Sequence, residues 1–232
     1  MPTFRRLLRH SLAVLAVTTG LVAASYTWVD RPVATSMLER GIVHSETLEW
    51  LQDFPMLLNA LSPAIALYAM VKLAFAPLGR WERTALAASV SLMIAIALEW
   101  YLKGIAGRYW PSTWLQPPNP SYLGTGDYGF HLFHFGRAYD SFPSGHTLRA
   151  ASFLGVYAIA YPRTRWLCLA AVAVVMAALV GKDYHFVSDT LAGAAVGYLT
   201  ARYTAACFGL DQPRGNSSID FSTDTGSSGV TT

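Results

Sequence analysis

Residues 84–102 read TALAASVSLMIAIALEWYL and carry one charged side chain, Glu99. At about 1.5 Å per residue, such a stretch is long enough to cross the hydrocarbon core of a bilayer as a helix. Five more apolar runs flank it, at 10–29, 54–75, 147–162, 166–181 and 186–207. With 53% hydrophobic and 13% charged residues in a chain of 232, the composition excludes an ordinary soluble domain. The fold expected is all-α: a polytopic bundle of six transmembrane helices over residues 1–208, with a motif-bearing core at 84–207. A long outer loop at 103–145 should join helices three and four. Residues 209–232 are rich in Ser, Thr, Gly and Asp. They hold too little apolar surface to fold and are expected to form a disordered cytoplasmic tail.

The basic residues set the orientation. Arg5, Arg6 and Arg9 precede the first run, Arg80 and Arg83 separate the second and third, Arg163 and Arg165 join the fourth and fifth, and Arg202 closes the sixth. All lie on one side if both termini are cytoplasmic, as the positive-inside rule prefers. The expectation is a multi-pass protein of the inner (plasma) membrane. A basic start, an apolar stretch and the small residues Ala23–Ser25 also fit a cleaved signal peptide, but Tyr26 and Trp28 favour a retained span with an interfacial anchor. Cys168 and Cys207 fall near cytoplasmic helix ends and read as packing residues. Residues 30–53 form an outer segment able to hold a short surface helix. The loop at 103–145 is rich in proline and in aromatic residues such as Trp110, Trp114 and Phe133. A loop of that length is often functional.

Lys103, Arg108, Arg137, Arg149 and Lys182 fall on the outer side, against the topological trend, and need another reason to be there. Three clusters supply one. Lys103-Gly-Ile-Ala-Gly-Arg108-Tyr-Trp-Pro111 stands where the third run ends, Pro143-Ser144-Gly145-His146 where the fourth begins, and His185-Phe-Val-Ser-Asp189 where the sixth begins. Ser144 is a good N-cap and Gly145 permits close approach, so this helix start offers free N–H groups to an anion, as many helix starts do. His185 and Asp189 stand four apart, on one helical face. A carboxylate there can fix the tautomer and free the other ring nitrogen as a nucleophile, or simply favour a helix N-terminus. Lys103 and Arg108 can clamp phosphate oxygens or snorkel to headgroups. Glu99, four residues before Lys103, suits an ion pair. Gly193 and Gly197 continue the face of Asp189 and suit tight helix packing. His131 and His134 lack further ligands at metal-binding spacing, so no metal and no cofactor is expected.

Together the three clusters resemble the signature of the type-2 phosphatidic-acid phosphatases, membrane relatives of bacterial acid phosphatases and vanadium haloperoxidases. That signature is roughly Lys-x6-Arg-Pro, then Pro-Ser-Gly-His, then Ser-Arg-x5-His-x3-Asp, and the resemblance covers residues 84–200. It implies a six-helix lipid phosphatase with a periplasmic or external active site. His185 would be the nucleophile, Asp189 its orienting partner, and His146 the acid and then the base. Lys103, Arg108, Ser144 and Gly145 would hold phosphate. Fixed cations suit a reaction governed by positioning and charge neutralisation. A helix N-terminus disfavours protonated His146, so bound phosphate must help restore its proton.

Two departures stand out. Four residues, not six, separate Lys103 from Arg108, and Pro111 follows two residues late. Leu179 occupies the place of the third-cluster arginine, with Ala178 before it. Lys182, one turn beyond Leu179, is the expected replacement, and Arg149, one turn after His146, is its rival. The partners implied are a lipid phosphate and the bilayer, with nothing pointing to nucleic acid. Phosphatidate, phosphatidylglycerophosphate, a polyprenyl diphosphate and the phosphates of lipid A all remain open as substrates. So does transfer of phosphate between lipids. A non-catalytic lipid-binding protein is conceivable from the missing arginine. A serine protease using Ser144 and His185 would leave the cations without a use.

Overall fold

The computed structural model describes residues 2–112 and 120–211, with side chains from Phe4 onward. The expectations for Trp114, Pro117 and Pro118 of the loop, and for residues 212–232 of the tail, lie outside these residues. Among those described, the chain is helical and has no named strands, only isolated bridges.

Helix α1 (Pro2–Ala24) continues through a π-helical turn at Ser25–Val29 into α2 (Asp30–Glu39). Residues 30–39 of the outer segment that the sequence suggested are therefore an extension of the first helix. Ser45 caps α3 (Glu46–Leu73) by accepting the Leu48 N–H at 3.4 Å, and Glu46 and Glu49 fill its acidic first turn. That start lies well ahead of the apolar run at 54–75. Helix α4 (Arg80–Ala106) begins where the Glu82 carboxylate accepts the Gly79 N–H at 2.8 Å. It ends at Gly107, whose φ of 55° is the left-handed turn that glycine adopts without penalty. A long connection holds the short α5 (Tyr122–Thr125) and leads to α6 (Gly145–Ala160). Helices α7 (Arg165–Gly181) and α8 (Val187–Cys207) complete the chain.

Four helical segments are long and apolar enough to cross a membrane: Phe4–Glu39, Glu46–Leu73, Arg80–Ala106 and Pro162–Gly181. Of the six expected, α6 and α8 stand apart. Helix α6 has 16 residues, about 24 Å of rise, and α8 carries Ser188, Asp189, Thr190, Thr200 and Thr204 among its buried positions. Their location accounts for this. They pack on each other more extensively than any other pair, so much of their surface faces protein and not lipid. Small residues allow it. A Cβ on Gly193 would lie 2.4 Å from the Ser144 carbonyl oxygen, and one on Gly197 2.4 Å from that of Leu148. The largest buried cluster joins Ala87, Ala88 and Leu92 of α4, Phe153 and Val156 of α6, and Ala201 and Ala205 of α8. Leu210 belongs to the same cluster and is 1% exposed, while Asp211 lies 3.7 Å from Arg202. Leu210, inside the range expected to form the tail, thus packs against the bundle.

Candidate active site

At the end of the bundle where α4 stops and α6 and α8 start, a cleft of about 440 Å³ opens. His146 and Arg149 reach it from α6, Glu99 and Lys103 from α4, and His185 from the turn before α8. The first turns of α3 supply Glu49, Gln52, Asp53 and Met56, and the long connection supplies Trp110, Arg137 and Asp140. An apolar groove of about 460 Å³ among α1, α6, α7 and α8 is lined by side chains such as Val14, Leu154 and Leu191. It lacks the histidines and carboxylates that chemistry would need.

His185 is 3% exposed, and its Nδ1 lies 3.6 Å from Asp189 Oδ2, slightly beyond hydrogen-bond length. Burial pushes its pKa below the usual histidine range, against the pull of Asp189. The ring is thereby kept neutral, and its centroid sits 4.9 Å from that of Trp110. Asp189 is held from several directions. Oδ1 accepts from Arg108 Nη1 at 2.5 Å, and Oδ2 accepts from Ser141 Oγ at 2.6 Å and from the Phe186 N–H at 2.9 Å. The Asp189 carbonyl takes the Ser144 N–H at 3.0 Å, which ties the start of α6 to that of α8.

Arg108 is not where the sequence led us to expect it. It is fully buried and does not line the cleft. Its Nη1 also donates to Ser188 Oγ at 2.6 Å, and its Nη2 to Asp30 Oδ2 at 2.9 Å. The rings of Tyr26, Tyr128, Phe130 and Phe186 surround it, with centroids between 4.2 and 5.2 Å from Cζ. Burial works against its charge, but Asp189 and Asp30 raise its pKa above the usual arginine value. Spacing explains the misplacement. Counted to Pro111, the Lys-x6-Arg-Pro pattern puts its arginine at residue 110, where Trp110 stands facing the cleft. Leu179, at the place of the third-cluster arginine, faces the cleft as well.

The remaining cations sort cleanly. Lys182 Nζ lies 3.4 Å from Glu49 Oε2 and does not line the cleft, so it is not aimed at the site. Arg149 is. Its Nη2 sits 3.0 Å from Glu99 Oε2, an ion pair without aligned hydrogen-bond geometry, and its Nε has no hydrogen-bond partner. Lys103 Nζ pairs with Glu99 Oε1 at 2.9 Å. The Glu99 carboxylate lies against Gly145, where a Cβ would come within 2.0 Å of Oε1. An anion thus already lies at the start of α6, between two cations. Ser144 Oγ is 3.5 Å from the Thr147 N–H and 3.1 Å from Thr147 Oγ1, so its hydroxyl serves as a cap. The sequence reading missed Asp30, Ser141 and the cleft wall of α3. A charged Asp30 closing an apolar run was the available signal, since buried charges are normally paired.

Residues 84–212 match the PAP2 superfamily. This is more than half of the chain, and the protein belongs to that superfamily. A solved structure, that of a transmembrane PAP2-type phosphatidylglycerolphosphate phosphatase from Bacillus subtilis, is similar at 14% identity and a TM-score of 0.49, over 89% of this chain and 98% of that one. No curated protein matches the chain.

Proposed function

We propose that the protein is a lipid phosphatase whose six helices cross the membrane as one domain over residues 1–208, with both termini cytoplasmic and the cleft on the opposite face. His185 attacks phosphorus through Nε2, with Nδ1–H turned to Asp189. The bond from phosphorus to the lipid oxygen breaks, and His146 supplies the proton to the departing oxygen. Water then attacks the phosphohistidine while His146 takes its proton, and inorganic phosphate leaves His185 free. Lys103, Arg149 and the N–H groups at Ser144 and Gly145 hold the phosphate oxygens. In this reading Arg108 positions Asp189 and does not touch the substrate. Fixed cations and dipoles do most of the work, as phosphoryl transfer requires. No step of this reaction calls for a metal.

One observation carries this reading: His146, His185, Lys103 and Arg149 share a single cleft, with Asp189 locked behind His185. Phosphate release by the purified protein from phosphatidate, phosphatidylglycerophosphate and a polyprenyl diphosphate, with and without a chelator, tests it. Release that survives chelation and vanishes in His185→Ala is the expected result. Orientation is tested by an impermeant thiol reagent on intact cells. Gly126→Cys should be labelled and Gly79→Cys should not.

A further inference from the structure

The two walls of the cleft differ in charge. On the α4 and α6 side stand Lys103 and Arg149, whose cations the mechanism assigns to phosphate. Beside it stands the start of α3, which presents Glu49, Gln52 and Asp53. Among the described residues, Asp53 has no ion pair and no hydrogen bond. Gln52 is 4% exposed, lines the cleft, and its Oε1 has no hydrogen-bond partner. A buried amide oxygen left without a donor costs free energy unless something arrives to satisfy it. Glu49 adds a carboxylate that is only partly offset by Lys182 at 3.4 Å.

Charge balance points the same way. The carboxylates facing the cleft are Glu49, Asp53, Glu99 and Asp140, and the side-chain cations are Lys103, Arg137 and Arg149. Trp110 and Leu179 add no charge where the superfamily pattern has arginines. A diphosphate would set its second phosphate against the α3 carboxylates, and like charges held close are costly. A substrate with a phosphate at one end and a cation at the other meets a complementary partner at each. The spacing suits such a headgroup. Met56 Sδ lies 3.2 Å from Arg149 Nη1, and Gln52 and Asp53 are about one helical turn, ~5.4 Å, further along α3.

Building on the phosphatase reading, we infer that the α3 wall recognises an ammonium group close to the phosphate. The substrate class is then an amine-bearing lipid phosphomonoester, and Gln52 and Asp53 are the residues that select it.

The test uses the full chain in lipid nanodiscs. Sphingosine 1-phosphate carries an ammonium on the carbon next to the phosphate-bearing one, and its N-acetyl derivative replaces that ammonium with a neutral amide. Phosphate release from this pair, from phosphatidate and from farnesyl diphosphate is compared as kcat/KM. Wild-type protein should prefer the ammonium-bearing member by about tenfold or more, the scale of a hydrogen bond to a charged group. It should cleave farnesyl diphosphate most slowly. Asp53→Asn and Gln52→Leu should each bring the ratio within the pair toward one, and Asp53→Glu should keep most of it. Equal rates within the wild-type pair, a faster diphosphate, or a ratio indifferent to both substitutions would overturn the inference while leaving the phosphatase reading intact. Release from none of the four, nor from phosphatidylglycerophosphate, would overturn both.

Discussion

Replacing Arg149 by Met removes the cation that stands closest to Glu99 on the α6 side, 3.0 Å away, and keeps most of the side-chain volume. If Arg149 holds a phosphate oxygen, its loss should cost about 2.7–4 kcal/mol of transition-state stabilisation, the usual worth of one oxyanion ligand. That corresponds to about a 10²–10³-fold drop in kcat/KM. Arg149→Lys should lose less, keeping the charge but not the fork. The substitution also leaves Glu99 with Lys103 as its one paired cation, and a surplus carboxylate could itself depress the rate. The double variant Glu99→Gln/Arg149→Met separates the two effects. Restored activity would assign the loss to Glu99, whereas a phosphate ligand predicts none. Lys182→Met, whose lysine pairs with Glu49, should stay within about threefold of wild type, the effect of a weak rim pair. The assay is steady-state phosphate release in nanodiscs with folding checked by thermal melting. Near-normal turnover in Arg149→Met beside a collapse in Lys182→Met would refute the assignment.

Arg108→Met strands Asp30 and Asp189 as buried carboxylates without their cation, so the protein should lose about 3–5 kcal/mol of stability, read as a lowered melting temperature, and most of its kcat. His146→Ala should slow release from an alkyl lipid phosphate by about 10²–10⁴-fold, the range of general acid catalysis, and should affect the initial burst of leaving group from an activated aryl phosphate, which needs no acid, far less. Asp183 is 1% exposed, and burial pushes its carboxyl up from 3.8 to about 7. Because its pKa is raised on folding, its stabilising contribution is full below the ordinary value and is lost as pH rises through about 7. Asp183→Asn, which tolerates the φ of 53° there, should melt like wild type near pH ~4. Above pH ~7.5 it should gain on the order of 1–3 kcal/mol, the cost of an unsatisfied buried polar group. A constant offset across that range would sink the idea.

Hydropathy was enough to find every long helix within a few residues at most ends, because lipid imposes an unbroken apolar run on the chain. It fell short at the outer ends of the first two long helices. Helix α3 starts at Glu46, since its first turns face the cleft and tolerate Glu49, Gln52 and Asp53. Residues 30–39 continue the first helix because Asp30 is buried against Arg108 and Ser188 and is not solvated. The sequence spacing put His185 beside Asp189, and the two do stand 3.6 Å apart, although His185 precedes α8 and lies in the turn before it. Arg108 was not legible in this way. Its neighbourhood to Lys103 in sequence suggested a shared ligand, but Gly107 reverses the chain and sends the guanidinium behind Asp189. Likewise, nothing in the spacing alone could separate Lys182 from Arg149. Their partners, Glu49 and Glu99, lie on different helices.

The most direct test of the central claim is to trap the covalent intermediate. A radiolabelled lipid phosphate is mixed with the protein, the reaction is quenched in alkali, where phosphohistidine survives, and the label is mapped. Acid-labile label on His185 in wild type, and none in His185→Ala, is the predicted result. Turnover with label on another residue, or continued turnover in His185→Ala, would contradict it.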